Sequence, residues 1–413
     1  MTKTQLKYPI PLGVHSIPHT DLDLRPDSTI DEILESPGPV TSTKNIWFFW
    51  HSGYRNMPGY SQRTVRTWHR RLSKKGWTIR VLDRVPGSAN NISQYLDTTS
   101  SEIFPRAFIQ NILSGPFPLQ HTSDLVRFPL ILKYGGIYAD VGLMCIGDVD
   151  TLWDRTINNP HSVYEILSYT SANEGMYNLL NYFLGGMPGN EFFRRCHELL
   201  LALWAEDGGK ESTEGMHASG ILSGVKLMGG AFTIEEEDGS VIPADEASRM
   251  LTDYIIQGQA ASAVMGLVDV DGNWDGPAYV RKKFFAMEFM EGSQLINEMT
   301  NWDGQRAFDL MSLSLPGSGE VESVEQAEAR RIVEGCLSRS FGFKLAHGLI
   351  LKVFKVTLGS LWKKNPGSDA VPGTYADWLR YGMIYWAPDK VPESVVLPII
   401  PPTKVGRLLE VSV

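Results

Sequence analysis

Apolar and polar positions along this chain repeat with two different periods, and the switches between them mark its elements. The run at 45–50 (NIWFFW) is almost wholly apolar, the pattern of a strand covered on both faces. It stops at the loop-forming His51, Ser52 and Gly53. Residues 61–75 then place Val65, Trp68 and Leu72 at spacings of three and four, which predicts a helix with one buried face. Residues 77–83 are β-branched and apolar and predict a second strand, and 91–96 predict a short helix. Two further helices are predicted over 104–113 and 119–133, around a break at Gly115 and Pro116. Pro129 inside the second predicts a kink or a late start, and Gly135 with Gly136 predicts its end. A short strand follows at 137–141, and a new element begins at 149–153.

The same alternation continues through 178–183 and 191–204. The latter is amphipathic, with Phe192, Cys196, Leu199, Leu200 and Leu203 on one face. The acidic, glycine-bearing stretch 232–245 predicts an exposed hairpin or loop. Helices are predicted over 322–337 and 345–362, a turn-rich linker over 364–373, and a last short helix over 375–385 before a proline-rich tail. Strands alternating with helices predict an α/β fold with a mostly parallel sheet under helical cover. The expected organisation is an irregular arm (1–43), a catalytic domain (44–318) and a C-terminal helical extension packed on it (319–413).

One segment changes this picture from architecture to chemistry. His121, Asp124 and Arg127 recur every three residues, on one side of the helix predicted at 119–133, with Leu125, Phe128 and Leu132 around the other side. Such a polar stripe ordinarily marks a solvated face. Here it leads into Tyr134, Gly135, Gly136, Tyr138 and Asp140. The paired glycines permit close backbone approach, and the strand after them delivers Asp140 to the carboxyl edge of the sheet, where open α/β sheets bind ligands.

Ser123-Asp124-x-x-Arg127 followed by Tyr134-Gly135-Gly136-x-Tyr138-x-Asp140 resembles the donor-site signature of DxD-containing glycosyltransferases related to capsular polysaccharide synthesis proteins, and most closely their fungal branch. Trp50, Asn181, Pro188 to Asn190, Tyr375 and Leu379 to Tyr381 add to the likeness, which is strong over 45–205 and diffuse beyond. The resemblance implies a GT-A-like fold and transfer of sugar, with retained configuration, from a nucleotide-diphosphate donor to an unspecified acceptor. Trp50 would stack on the base. Read from their positions alone, His51 after the first strand and His121 before Ser123 could meet near the donor site as general acid or base. Ser123, Asp124 and Arg127 would contact the sugar or the phosphates, with His121 nearby, and Tyr138 would line the nucleotide pocket. Asp140 would be the first carboxylate of DxD, holding a divalent cation, magnesium or manganese, against the diphosphate. The pattern breaks at that point, because Val141 and Gly142 follow and the second carboxylate is missing. Three remedies are open: a metal completed by a distant acid, with Asp303 the first candidate and Asp148 or Asp150 behind it; a cationic side chain in its place, Arg127 or Lys133; or a different chemistry on the same scaffold.

A second constellation bears on that last option. Arg63, Arg66, Arg70, Arg71, Lys74 and Lys75 crowd one stretch, continued by Arg80 and Arg84 and interleaved with Trp68 and Trp77. A solvated helix face explains them, and so does a polyanion site for phosphates or RNA. With the missing carboxylate, the RNA reading supports an alternative: an aminoacyl-tRNA-dependent enzyme resembling the arginine-containing cyclodipeptide synthases of fungi. A binding protein on a decayed transferase fold is the third reading. Asp253, Tyr254 and Gln257 to Gln259, on one predicted helix, would line an acceptor.

Composition narrows these readings only slightly. A net charge of −9 argues against a protein that coats DNA or RNA along its whole surface. Cys145, Cys196 and Cys336 are isolated and lack zinc spacing, so they are expected to be reduced, buried thiols. No apolar run reaches the roughly 18–20 residues of a membrane span, and the first dozen residues lack a signal-peptide core, so a cytoplasmic location is expected.

Overall fold

The aromatic run at the start of the sheet forms strand β1 (Asn45–Phe49), all five residues of which are buried. The computed structural model describes residues 7–173, 176–228, 233–236 and 238–411. Alternate side chains of β1 enter separate cores. Ile46 and Phe48 pack on one side of the sheet with Val65, Trp68 and Leu72 of helix α1 (Gly59–Leu72). Trp47 and Phe49 pack on the other. This two-sided burial is what an uninterrupted apolar run requires.

Strand β2 (Thr78–Leu82) pairs parallel with β1. Helix α2 (Pro118–Tyr134) accommodates Pro129 within its length and ends at Gly135. Strand β3 (Gly136–Ala139) then returns alongside β1 in parallel. Gly135 and Gly136 adopt φ of +65° and +93°. A Cβ on Gly136 would lie 2.5 Å from the Asn45 carbonyl oxygen, so only glycine lets the chain leave the helix and enter the sheet within one residue. After a tight turn comes the short strand β4 (Leu143–Cys145).

The rest of the sheet departs from expectation. Strands β5 (Ile166–Asn173) and β6 (Met176–Gly186) form a long antiparallel hairpin, and β6 also runs antiparallel to β3. Helix α3 (Glu191–Ala205) and helix α4 (Ile256–Gly266) pack against each other in the core that holds Trp47. Strand β7 (Phe284–Glu288) closes the far edge parallel to β5. The sheet order is β7-β5-β6-β3-β1-β2, with three parallel and two antiparallel pairings, so it is mixed rather than mostly parallel.

Helix α5 (Val324–Arg339), strand β8 (Gly342–Lys344) and helix α6 (Tyr375–Tyr385) supply the later part of the fold. Strand β8 pairs antiparallel with β4, with Lys344 opposite Leu143. A third apolar core, containing Met144, Leu337, Phe343 and Trp378, joins these helices to that ribbon.

Several boundaries moved. The arm at 1–43 contains a helix (Asp27–Glu35) and a strand (Val14–Ser16) and is not wholly irregular. The helix expected over 104–113 is one turn (Arg106–Ile109), ended by Asn111 at φ 56°. The stretch 345–362 splits into Ile350–Phe354 and Leu358–Lys364, because Lys355 adopts φ 56° and Thr357 starts a new capping box. The acidic hairpin exists as Ile234–Glu235 paired with Val241–Ile242, while Phe232 lies outside the described residues.

His197, buried on α3, carries a pH signature. Burial pushes its imidazole down to about 4, against the opposing effect of a hydrogen bond to the Glu102 backbone. Its folded pKa thus lies below the ordinary value of about 6.5. The unfolded chain takes up the proton first, and stability falls as the pH drops from about 6.5 towards 4. From this group alone, denaturation at pH 5 is expected to read about 2 kcal/mol less stability than at pH 7.5. The His197→Gln variant should lose that increment of the pH dependence; an unchanged profile would mean that the folded protein protonates His197 freely.

Candidate active site

The polar stripe of α2 is buried, not solvated: His121, Asp124 and Arg127 are 3%, 7% and 5% exposed. Unpaired charges cannot be held at such depth, and here they are paired. Arg127 lies between two carboxylates, with Nη1 3.0 Å from Asp124 Oδ1 and Nη2 3.1 Å from Asp140 Oδ1. Its remaining hydrogen bonds run to the Asn181 carbonyl at 3.0 Å, Gln257 Oε1 at 3.2 Å and Ser123 Oγ at 3.2 Å. The guanidinium stands over the Tyr138 ring, 4.8 Å from its centroid. Gln257 is fully buried and donates through Nε2 to the Asp124 carbonyl at 2.6 Å, so α4 fixes α2 from behind.

Asp140 follows β3 and is held by its backbone N–H, which donates to the Tyr182 carbonyl at 3.0 Å. Its second oxygen, Oδ2, is 3.0 Å from Lys344 Nζ on β8. Burial alone would raise the Asp140 carboxyl, but Lys344 and Arg127 hold it below its ordinary range. Burial likewise pushes the Tyr138 hydroxyl up to about 12, and it shares a 2.8 Å hydrogen bond with Ser123. Asp140 is the open edge of the cluster: its side chain is 24% exposed and that of Lys344 14%, against 9% for Asp124 and 6% for Arg127. Two cations held by a carboxylate at the end of a sheet strand can bind a phosphorylated ligand and stabilise negative charge developing on it.

The structure brings together Ser123, Asp124, Arg127, Tyr138 and Asp140. Tyr138 is a buried brace beneath Arg127 rather than an open pocket wall. Gly135 and Gly136 position the strand and accept the Trp47 indole N–H on the Gly135 carbonyl. His121 Nε2 meets Thr213 Oγ1 at 3.1 Å, while its Nδ1, 3.5 Å from Asp124, lacks a hydrogen-bond partner. Trp50 lies partly buried just after β1, with its indole N–H buried and unpartnered, and the half-buried His51 is pushed down by desolvation.

Other expectations are corrected. The Asp303 carboxylate caps the helix Gly304–Ser312 by accepting from the Arg306 N–H, and Trp302 stacks on Phe354. Lys133 donates to the Tyr95 carbonyl at 2.6 Å, outside the cluster. Asp148 caps a helix and pairs with Lys75, and Asp150 pairs with Lys44. Asp253 secures the turn at Gly215 and His217.

The basic stretch is internally spent. Arg63 pairs with Asp369, Arg66 with Asp27 and Asp31, Arg70 with Asp27, and Lys75 with Asp148. Arg71 is buried and donates to the carbonyls of Ile146, Gly147 and Met383, and Lys74 to that of Thr20. Arg80 lies inside the protein, on Asn45 Oδ1 and the Gly38 and Pro39 carbonyls. These cations tie the arm, α1 and the C-terminal helices together and do not form the polyanion surface that the tRNA reading needs.

The donor set does not fit a divalent cation. Position 142 offers no carboxylate, both Asp140 oxygens face cations, and among the described residues no three His, Cys, Asp or Glu side chains converge. Magnesium and manganese require several oxygen ligands. The residue that sequence reasoning missed is Lys344, 204 positions beyond Asp140, in a three-residue strand with no periodic signal.

Comparison with known proteins decides the family. The family model described as capsular polysaccharide synthesis protein matches residues 24–209. The O-glycosyltransferase braB of Annulohypoxylon truncatum is 34% identical over 382 residues, covering 91% of this chain and 88% of its own. The chain belongs to this fungal glycosyltransferase family. The O-glycosyltransferase PaGT of Phomopsis amygdali is 30% identical, covering 94% of this chain and 93% of its own. The glycosyltransferase afumC of Aspergillus fumigatus is 32% identical over 87% of this chain and 88% of its own. The protein is therefore a transferase, and the buried Arg127 cluster is its candidate active site. No helix among the described residues is long and apolar enough to cross a membrane. The cyclodipeptide synthase alternative finds no support in these relatives.

Proposed function

We propose that this glycosyltransferase uses a nucleotide-diphosphate sugar as donor and a hydroxyl group as acceptor. The observation that carries the reading is the convergence of Arg127 and Lys344 on Asp140 at the open end of β3. That is where a GT-A-like site would receive a diphosphate, and relatives over nearly the whole chain are named O-glycosyltransferases. Trp50, at the end of the neighbouring strand, would stack on the nucleotide base, and Asp124 and Ser123 would orient the sugar. Asp124 and Asp140 are both ion-paired, so neither is free to act as a base opposite the anomeric carbon. This supports a retaining outcome.

Calorimetric titration with uridine- and guanosine-diphosphate sugars tests the reading. One of them is expected to bind, and the Trp50→Ala variant to bind it roughly tenfold or more weakly, since base–aromatic stacking is worth about 1–3 kcal/mol. An intact fold that binds none of them would sink the proposal.

A further inference from the structure

We propose that the Lys344 ammonium, working with the Arg127 guanidinium, neutralises the donor diphosphate in the place that a divalent cation would occupy, so that transfer proceeds without metal. This rests on the nucleotide-sugar reading above.

The geometry at position 142 carries the argument. Pairing of β4 with β8 sets Lys344 opposite Leu143, and the Leu345 N–H donates to the Gly142 carbonyl at 2.9 Å. A Cβ on Gly142 would lie 3.4 Å from Lys344 Nζ and 3.2 Å from the Leu345 carbonyl oxygen. The lysine head thus stands directly beside the position from which a second carboxylate would reach. Where the sequence has lost an acid, the fold has supplied a cation.

Charge gives the same answer. Two carboxylates holding a divalent cation sum to zero. Here Asp124 and Asp140 with Arg127 and Lys344 also sum to zero, and Lys344 lies with Asp140 at the more exposed edge, with Arg127 between the two carboxylates behind it. Lysine carries three N–H donors. One points to Asp140 Oδ2 at 3.0 Å and one to the Leu345 carbonyl at 3.2 Å. The third has no protein partner among the described residues and is available to a phosphate oxygen.

In the transfer, the bond between the anomeric carbon and the diphosphate oxygen breaks, and its electron pair leaves with the nucleoside diphosphate. The acceptor oxygen bonds to the anomeric carbon, and its proton passes to the departing phosphate oxygen. Lys344 and Arg127 stabilise the negative charge that builds on that oxygen before the proton arrives.

The test measures donor binding and turnover of the full-length protein after chelation with EDTA, with and without added manganese. Both are expected to change less than twofold. Lys344→Ala is expected to lower kcat about a hundredfold with a much smaller change in KM, and manganese should not rescue it. Lys344→Gln, which keeps the side-chain shape, guards against a folding defect and should be impaired similarly, while Lys344→Arg should retain more activity. In the Gly142→Asp/Lys344→Ala double variant, manganese binding is expected to become measurable by electron paramagnetic resonance. Donor binding with turnover abolished by EDTA and restored by manganese would overturn the Lys344 proposal alone, as would full activity in Lys344→Gln. Failure of every nucleotide sugar to bind wild-type protein would overturn the donor reading and this proposal together.

Discussion

Replacing Arg127 with alanine is expected to cost about 3–5 kcal/mol of stability, because it strands a charge in the interior. The Asp124 side chain is 9% exposed, and Arg127 is its cationic partner at 3.0 Å. The same change frees the Gln257 amide oxygen and one oxygen of Asp140 from their shared donor. Activity should fall together with stability. Arg127→Lys separates the two effects: the charge stays, but a single ammonium cannot reproduce a planar fork that spans two carboxylates. That variant is expected to remain folded, with a drop in kcat of about a hundredfold. Urea denaturation and donor turnover, measured on both variants, check this. An alanine variant with wild-type stability would show that Asp124 reaches water when its partner is removed.

The second large effect is expected far from the chemistry. Asp369 is fully buried and receives hydrogen bonds from Arg63 on α1 and an ion-pair contact at 2.8 Å from Arg380 on α6. Arg380, itself 5% exposed, also donates to Thr64 Oγ1 at 2.9 Å and the Tyr60 carbonyl at 3.1 Å. Asp369→Ala leaves two guanidinium groups without their anion and is expected to destabilise by about 3–5 kcal/mol. Burial alone would raise the Asp369 carboxyl, but Arg380 and Arg63 hold it below the ordinary range. Its contribution is therefore complete above the unfolded carboxylate pKa of about 3.9 and is lost as the pH falls through the lower folded value. Thermal melts of wild type and Asp369→Asn at neutral and acid pH should converge as the pH falls. A constant gap would show that the pair does not titrate with folding.

What the sequence disclosed, and what it withheld, follows from distance along the chain. β1, α1, β2, α2 and α6 were legible because each is written in one contiguous stretch of the chain, the strands as short apolar runs. The glycine pair was legible because its backbone geometry admits almost nothing else. Asp124, Arg127 and Asp140 lie within 17 consecutive residues and could be seen as one motif. The mixed sheet was not visible, since the apolar run of β6 reads the same whether its neighbours run with it or against it. The basic stretch misled because its acidic partners, Asp27, Asp31 and Asp369, come from both ends of the chain. Lys344 could not be found for the same reason: its meaning lies wholly in a pairing with β4 that no local pattern announces.

That pairing has a consequence for how the enzyme comes into being. A ribosome releases Arg127 and Asp140 some two hundred residues before it releases Lys344, so in a nascent chain the cluster stays incomplete until the late strand docks. Under the Lys344 proposal, activation and completion of folding become one event. The protein should therefore behave as a natural split enzyme: two fragments divided in the exposed turn near Gly319, each silent alone, would regain transfer when β8 docks on β4.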